Sequence, residues 1–341
     1  MKKILLTGTT GAIGSEVLKQ LDAANKLHGV SVLVRDSKKT RKTLKPFGDK
    51  IKVIYGDITD REIVKKAVKN QEMVIHLAAI IPTVENDNDK LVYSVNVGGT
   101  ENIVRSMETE CPEALLLFSS SIAIYGDRVK DPGILISDPP KDLDHDNYAR
   151  TKVDAENIIK SSKLNWSIFR LTVIMGIGNH KMSRIMFEVP LETTFEICTL
   201  RDTARAFVNS IEQQEELTGR IFNLGGGKSC RITYFDFLSR AFNAFGLGKL
   251  NFPNHAFAKQ NFHCGIFMDG DELEHILHFR TDDIESYFQR FNDSVPGVQR
   301  FFTRPFGIII KWFLLKLSEP YRAYKKEDQE KMNFYFGNIE P

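Results

Sequence analysis

The chain is predicted to be α/β: a doubly wound parallel sheet with helices on both faces, followed by a smaller C-terminal lobe. Three observations predict it. Over the first half, short apolar runs alternate with stretches of helical periodicity. Those runs are Val, Ile and Leu with little apolar–polar alternation, as in strands covered on both faces. The first run ends in a glycine-rich turn, Thr7-Gly8-Thr9-Thr10-Gly11-Ala12-Ile13-Gly14, that opens a helix.

Taken in order, strands are predicted at Ile4–Leu6, Ser31–Val34, Lys52–Tyr55, Met73–Leu77, Ala114–Ser119 and Trp166–Leu171. Between them the spacing predicts helices near Gly14–Leu27, Asp60–Lys69, Lys90–Thr109 and Asp146–Ser162. After Leu171 the pattern loosens. A glycine-containing stretch, Met175–Asn179, precedes one helical pattern over Arg201–Glu216 and a strand at Ile221–Leu224, stopped by Gly225-Gly226-Gly227. The rest is aromatic-rich and poorly periodic. The expected division is a nucleotide-binding domain over 1–175, to which 200–224 returns, and a substrate-binding lobe made of 176–199 and 225–341.

The 341 residues suffice for one large domain or a domain with a lobe, and the net charge of +2 gives no global pull toward nucleic acid. Four cysteines, Cys111, Cys198, Cys230 and Cys264, form no CxxC pair, which argues against zinc or a disulfide framework and suits a reducing compartment. Ile4-Leu5-Leu6 is broken at once by glycines, so no secretory h-region is formed, and no apolar run is long enough to span a bilayer. A cytoplasmic protein with a small-molecule partner is expected.

The glycine loop carries the first chemistry. Gly8 permits a tight turn, Gly11 removes a side chain where backbone must approach a pyrophosphate, and Gly14 allows close packing of the helix. The helix N-terminus then offers free amides and a positive dipole end to an anion. Thr7, Gly8, Thr10, Gly11, Ala12, Ile13 and Gly14 are therefore candidate dinucleotide contacts. The second strand ends at Val34-Arg35-Asp36. A carboxylate at that tip would accept from ribose hydroxyls, whereas an arginine would pair with a 2′-phosphate. Arg35, followed by Lys38, Lys39 and Arg41, favours NADP; Asp36 leaves NAD open.

Tyr148-Ala149-Arg150-Thr151-Lys152 sets Tyr148 and Lys152 at i and i+4 on one helical face. A free phenol, with a pKa near ~10, is a poor acid/base at neutral pH, and an adjacent ammonium is expected to lower it. Ser119-Ser120-Ser121 lies at the tip of the fifth strand, where open α/β sheets place ligands.

Glycine loop, serine and YxxxK in this order resemble the extended short-chain dehydrogenase/reductases, the NAD-dependent epimerase/dehydratase family, with its Rossmann fold. Further matches are Gly56-Asp57-Ile58-Thr59-Asp60, His76-Leu77-Ala78-Ala79, Asn96-Val97-Gly98-Gly99-Thr100, SSSIAIYG and Asn223-Leu224-Gly225-Gly226. The resemblance implies that Asp57 and Ile58 contact adenine and that Leu77, Ala78 and Ala79 line the cofactor cleft. It implies that Asn96 supports the site, and that Ser121, four residues before Tyr125-Gly126, is the catalytic serine. Tyr148 would be the acid/base, and Lys152 its partner and a nicotinamide-ribose ligand. The implied reaction is hydride transfer at an alcohol or ketone carbon. Two alternatives are a nucleotide-sugar epimerase with tightly held NAD and a non-catalytic dinucleotide sensor, which the intact Ser/Tyr/Lys set disfavours.

The pattern departs in one informative place. Nucleotide-sugar members carry an arginine about seven residues before an Asp-x-Ala helix; here Asp202-Thr203-Ala204 is preceded at that spacing by Phe195. Lys181, Arg184 and Arg201 are the remaining local cations. Ser121 is followed by Ile122-Ala123, with no carboxylate to assist an elimination. His275 and His278 can share a helical face, but Asp269–Glu274 reads as a solvated helix start and no metal is expected. Phe306–Leu317 is the most apolar stretch. A buried helix of the lobe is the favoured reading; weak contact with a membrane surface and a homodimer contact are the others.

Overall fold

The computed structural model describes residues 2–81, 88–141, 143, 146–178 and 182–337. Seven strands form one parallel sheet: β1 (Ile4–Thr7), β2 (Val30–Val34), β3 (Lys52–Tyr55), β4 (Met73–His76), β5 (Leu115–Ser121), β6 (Asn165–Leu171) and β7 (Arg220–Leu224), in the order β7-β6-β5-β4-β1-β2-β3. The chain winds outward from β1 in both directions. The seam between β1 and β4 is thus the topological switch point, where such sheets bind ligands beyond the strand C-termini.

Every residue of β1, β2 and β4 is buried, yet the two-residue period sorts them. Ile4, Leu6, Val30 and Val32 pack with Val17, Leu18 and Leu21 of α1 (Ala12–Ala23) and with Ala204 and Phe207 of α5 (Leu200–Asn209). Leu5, Leu33 and Val74 face the other way, onto α2 (Arg61–Val68), α3 (Gly99–Glu110) and α4 (Asn147–Lys160). Each fully buried Val or Leu contributes about 1.5–3 kcal/mol, so both faces are needed to hold the sheet flat between two helical layers.

One local reading is corrected. The predicted helix over Arg201–Glu216 is broken into α5 and a turn of helix at Gln214–Leu217. At the break, Asn209 donates to the Leu277 carbonyl and Ser210 back-bonds to Phe207, so polar side chains compete with the helical ladder. The basic segment after β2 is a helix, Lys38–Leu44, capped by the Ser37 hydroxyl, which accepts from the Thr40 amide at 3.1 Å.

The C-terminal part is helical. Its helices include α6 (Tyr234–Ala244), α7 (Ile284–Ser294), α8 (Gly297–Thr303), α9 (Gly307–Leu315), α10 (Glu319–Lys326) and α11 (Gln329–Phe336). Its core is aromatic, built on Phe187, Phe195, Phe237, Phe242, Tyr287 and Phe288. Three short strands link it to the sheet: Arg231–Thr233 pairs antiparallel with Thr194–Thr199, which pairs parallel with Val173–Met175. The favoured burial of Phe306–Leu317 is overturned. In α9 only Gly307 and Lys311 are buried; Ile310, Leu314 and Leu315 pack partly against the lobe, and Ile308, Ile309, Trp312 and Phe313 face outward.

Candidate active site

The glycine loop lies at the switch point. Gly8 has φ +74°, and a Cβ there would sit 2.6 Å from the Leu77 carbonyl carbon; the position requires glycine twice over. A Cβ on Gly14 would meet the Gly8 carbonyl oxygen at 2.4 Å, so this glycine packs the helix against the loop itself. The Gly11 amide donates to the Gly8 carbonyl at 3.0 Å, and Gly11 caps α1 without a side-chain acceptor. The first-turn amides of α1 are therefore left for an anion. Thr9 is fully buried and its hydroxyl has no partner among the described residues.

A cleft of about 240 Å³ opens above this loop. Thr7, Gly8, Thr10 and Gly11 line one wall, Arg35, Asp57 and Ile58 the second, and Leu77, Ala78 and Ala79 the third. Ala12, Ile13, Gly14, Asn96, Tyr148 and Lys152 are not in its lining. Asn96 instead braces the cleft from behind: its Oδ1 accepts from the Ile80 amide at 2.8 Å, and its Nδ2 donates to Thr151 Oγ1 at 3.1 Å. That side chain is spent on tying the β4 loop to α4. Arg35 makes no ion pair among the described residues, whereas Asp36 is gripped by Arg41 through two bonds of 2.8 and 2.7 Å. The Arg41 guanidinium holds the Asp36 carboxyl below its usual range. The residues present fit a dinucleotide: an uncapped helix start, a backbone cradle that a Cβ would fill and a buried hydroxyl without a partner.

Beside the cleft, β5 and α4 bring the second set together. Asp146 caps α4, accepting from the Ala149 amide at 2.9 Å, and this fixes the turn that carries Tyr148. The Ser121 hydroxyl acts on the Tyr148 phenol, favouring its ionised form, and accepts from the Ala123 amide at 3.2 Å. Ser119 is turned away, donating to the His76 carbonyl, and the Ser120 hydroxyl is buried. Of the three serines, Ser121 is the one whose hydroxyl acts on the Tyr148 phenol.

Lys152 is buried, its Nζ donating to the Ser119 carbonyl at 2.8 Å and lying 5.7 Å from the Tyr148 ring centroid. The expected lowering of the phenol pKa is not found here. Burial pushes Tyr148 up to about 12, against the pull of the Ser121 hydroxyl. Burial also lowers Lys152 to about 8, against the Glu156 carboxylate one turn along. Desolvation outweighs the pairing for both groups.

The sequence did not single out the frame behind this pair. Glu156, four residues after Lys152, receives Arg170 through bonds of 3.0 and 2.8 Å, both side chains buried. Arg170 also donates to the Tyr125 hydroxyl at 2.8 Å, which donates to Asn223 at 2.8 Å. A charged lattice thus ties α4 to β6 and β7. Its one sequence signal was the i+4 spacing of Glu156 from Lys152.

Within the aromatic lobe lies an apolar cavity of about 210 Å³. Ser121 pairs in register with Leu171, and Val173, two residues beyond, lines this cavity with Met175, Phe195, Phe237, Phe262 and Tyr287. Phe195 stands where the nucleotide-sugar pattern has arginine. Of the local cations, Arg184 pairs with Glu188 at 2.5 Å, Arg201 is exposed, and Lys181 lies outside the described residues. His278 ends the helix Asp271–Leu277 in a left-handed conformation, which takes it off the face of His275.

Residues 4–225 match the family model described as the NAD dependent epimerase/dehydratase family. A 3 beta-hydroxysteroid dehydrogenase/Delta 5-->4-isomerase of Mycobacterium tuberculosis is 27% identical over 212 residues, 60% of this chain and 55% of that protein. A UDP-glucose 4-epimerase of Neisseria meningitidis serogroup B is 32% identical over 193 residues, 54% of this chain and 56% of that protein. The chain thus matches about half the length of these relatives. Among solved structures, the UDP-glucuronic acid 4-epimerase of Bacillus cereus, in complex with UDP-glucuronic acid and NAD, superposes with a TM-score of 0.69 at 18% identity. That match covers 85% of this chain and 98% of the epimerase. A short-chain dehydrogenase/reductase superfamily protein of Agrobacterium tumefaciens with bound NAD gives 0.64 at 15% identity over 89% and 98% of the two chains.

Proposed function

Because the chain belongs to the NAD dependent epimerase/dehydratase family, we propose that it is an NAD(P)-dependent oxidoreductase acting on an apolar alcohol or ketone, with NADP preferred. The observation that carries this reading is the juxtaposition of a Ser/Tyr/Lys set with an apolar cavity that begins two residues from the strand position paired with Ser121. A nucleotide-sugar needs cations and hydrogen-bond donors for its diphosphate; Phe195, Phe237 and Phe262 offer neither.

The N-terminus of α1, above the Gly8–Gly11 turn, would hold the pyrophosphate, Asp57 and Ile58 the adenine, and Arg35, without an ion pair among the described residues, a 2′-phosphate. The nicotinamide, when bound, supplies the hydride donor or acceptor. The protein supplies the proton and the alignment. A phenol raised to about 12 is protonated at neutral pH, so Tyr148 is set to donate to a substrate carbonyl oxygen. The Ser121 hydroxyl, fixed by the Ala123 amide, orients that oxygen, and Lys152 holds the β5 tip through Ser119. In this reading 1–175 with 200–224 bind the cofactor, while 176–199 and 225–341 receive the substrate. The four buried free thiols support a reducing, cytoplasmic setting.

The test is NADPH consumption with a panel of apolar ketones. Tyr148→Phe is expected to lower kcat by roughly 10²–10⁴-fold and leave NADPH affinity unchanged. Unchanged turnover would remove Tyr148 from the chemistry. The epimerase reading, which the Neisseria relative supports, predicts instead an NAD that survives dialysis and a UDP-hexose converted with no net consumption of cofactor.

A further inference from the structure

The C-terminal helices α8 and α9 are turned inside out. No residue of α8 or of the turn Arg304–Phe306 is buried. Phe301 is 76% exposed and Ile308 78%, and Phe302, Ile309, Trp312 and Phe313 are exposed beside them. The residue that α9 buries is a lysine: Lys311 Nζ donates to the Lys249 carbonyl at 3.0 Å and to the Asn251 side chain. A large contiguous apolar patch on a folded surface marks an interaction site, and here the polar group has been taken inward to make it.

The patch is held in place. Ile310, Leu314 and Leu315, on the opposite side of α9, pack into the aromatic cluster that contains Phe237, Tyr287 and Phe288. A Cβ on Gly246 would sit 2.9 Å from the Arg300 carbonyl oxygen, and one on Gly307 3.2 Å from that of Leu247, so both helices lie tight against the lobe. The same cluster lines the apolar cavity.

Charge selects the occupant. Between Gly297 and Leu317 the chain carries Arg300, Arg304 and Lys316 besides the inward-turned Lys311, and no carboxylate. Lys316 Nζ stands 3.7 Å from the Trp312 ring centroid, a cation over an aromatic at the rim of the patch. A second copy would present the same face across a two-fold axis and set like charges against like. An anionic bilayer accepts both features: aromatic and aliphatic side chains enter the headgroup–acyl boundary while Arg and Lys meet lipid phosphates. The nine residues of α9, at 1.5 Å each, fall far short of the ~30 Å hydrocarbon core, so the pair lies in the interface and does not cross it.

We propose that α8 and α9 dock the protein on an anionic lipid bilayer, with the apolar cavity behind them taking its substrate from the membrane. The second clause rests on the proposed oxidoreductase reading; the docking does not.

Co-sedimentation of the full chain with vesicles tests it, comparing pure phosphatidylcholine with phosphatidylcholine containing phosphatidylserine. The wild type is expected to pellet with the anionic vesicles. Ile308→Ser/Trp312→Ser and Arg304→Glu/Lys316→Glu are each expected to weaken partitioning by about tenfold or more. Turnover of a water-soluble alcohol without vesicles should be unchanged in both, because these side chains face solvent. Failure to bind anionic vesicles overturns the docking. A concentration-dependent dimer that the Ile308→Ser/Trp312→Ser variant abolishes overturns it too, by assigning the face to a second copy. Binding to vesicles with no turnover of any apolar alcohol or ketone leaves docking standing and removes the reading it serves.

Discussion

At the scale of single residues, the site is a contest between pairing and desolvation. Tyr148 and Lys152 sit on one face as their spacing dictates, but burial dominates both, leaving a neutral phenol and a lysine lowered to about 8. Arg35 and Asp36 show how one neighbour changes a role. Asp36 is engaged by Arg41 from the following helix, so Arg35 is the group at the cleft wall that is left to meet a ligand. Arg35→Asp is expected to weaken NADP binding by roughly 10–100-fold, the loss of one charge-assisted contact, while leaving NAD binding within a few fold. Titrations of both cofactors by fluorescence check this; equal NADP affinity in the variant would show that Arg35 does not meet the phosphate.

At the scale of elements, α4 is the part on which the proposed chemistry depends. It is capped by Asp146, which also faces His263 at 3.3 Å, and pinned from behind by the Arg170–Glu156 pair. Asp146→Ala is expected to cost about 1 kcal/mol of stability through the lost cap. It should also lower kcat more than it changes NADPH affinity, because the first turn that aims Tyr148 frays. Thermal unfolding and a kcat against KM comparison measure the two effects separately; intact kcat with lowered stability would leave Asp146 a cap and nothing more. Element bounds were legible where periodicity was strong. They failed at Arg201–Glu216 because Asn209 and Ser210 find other hydrogen-bond partners, which only the fold supplies.

At the scale of the whole molecule, the two cores of the seven-stranded sheet flank a buried polar seam. His76 accepts or donates at Thr7 Oγ1, 2.8 Å away, and at Thr100 Oγ1, 3.1 Å away. Burial, reinforced by the nearby Lys152 charge, lowers His76 to about 3, so the folded protein holds it neutral. The unfolded chain takes up that proton near 6.5, so stability falls as pH drops from about 6.5 toward 3. His76→Gln, which keeps a hydrogen-bonding side chain, is expected to remove up to roughly 4 kcal/mol of that acid loss, read from urea unfolding across the window. An unchanged pH slope would place the acid sensitivity elsewhere.

The sequence by itself determined the parallel sheet, the glycine loop and the order of serine, tyrosine and lysine. These are local in the chain: a two-residue or 3.6-residue period, a turn that only glycine can make, an i,i+4 spacing. Only the tertiary structure decided the direction of each pKa shift, the buried frame behind α4, the apolar character of the cavity and the outward face of α9. Each of these depends on what distant segments remove from water or leave in it. For Phe306–Leu317 the distinction is sharpest. Apolar composition predicted burial, but the surface that would cover Ile308, Ile309, Trp312 and Phe313 is not supplied by the described residues of this chain.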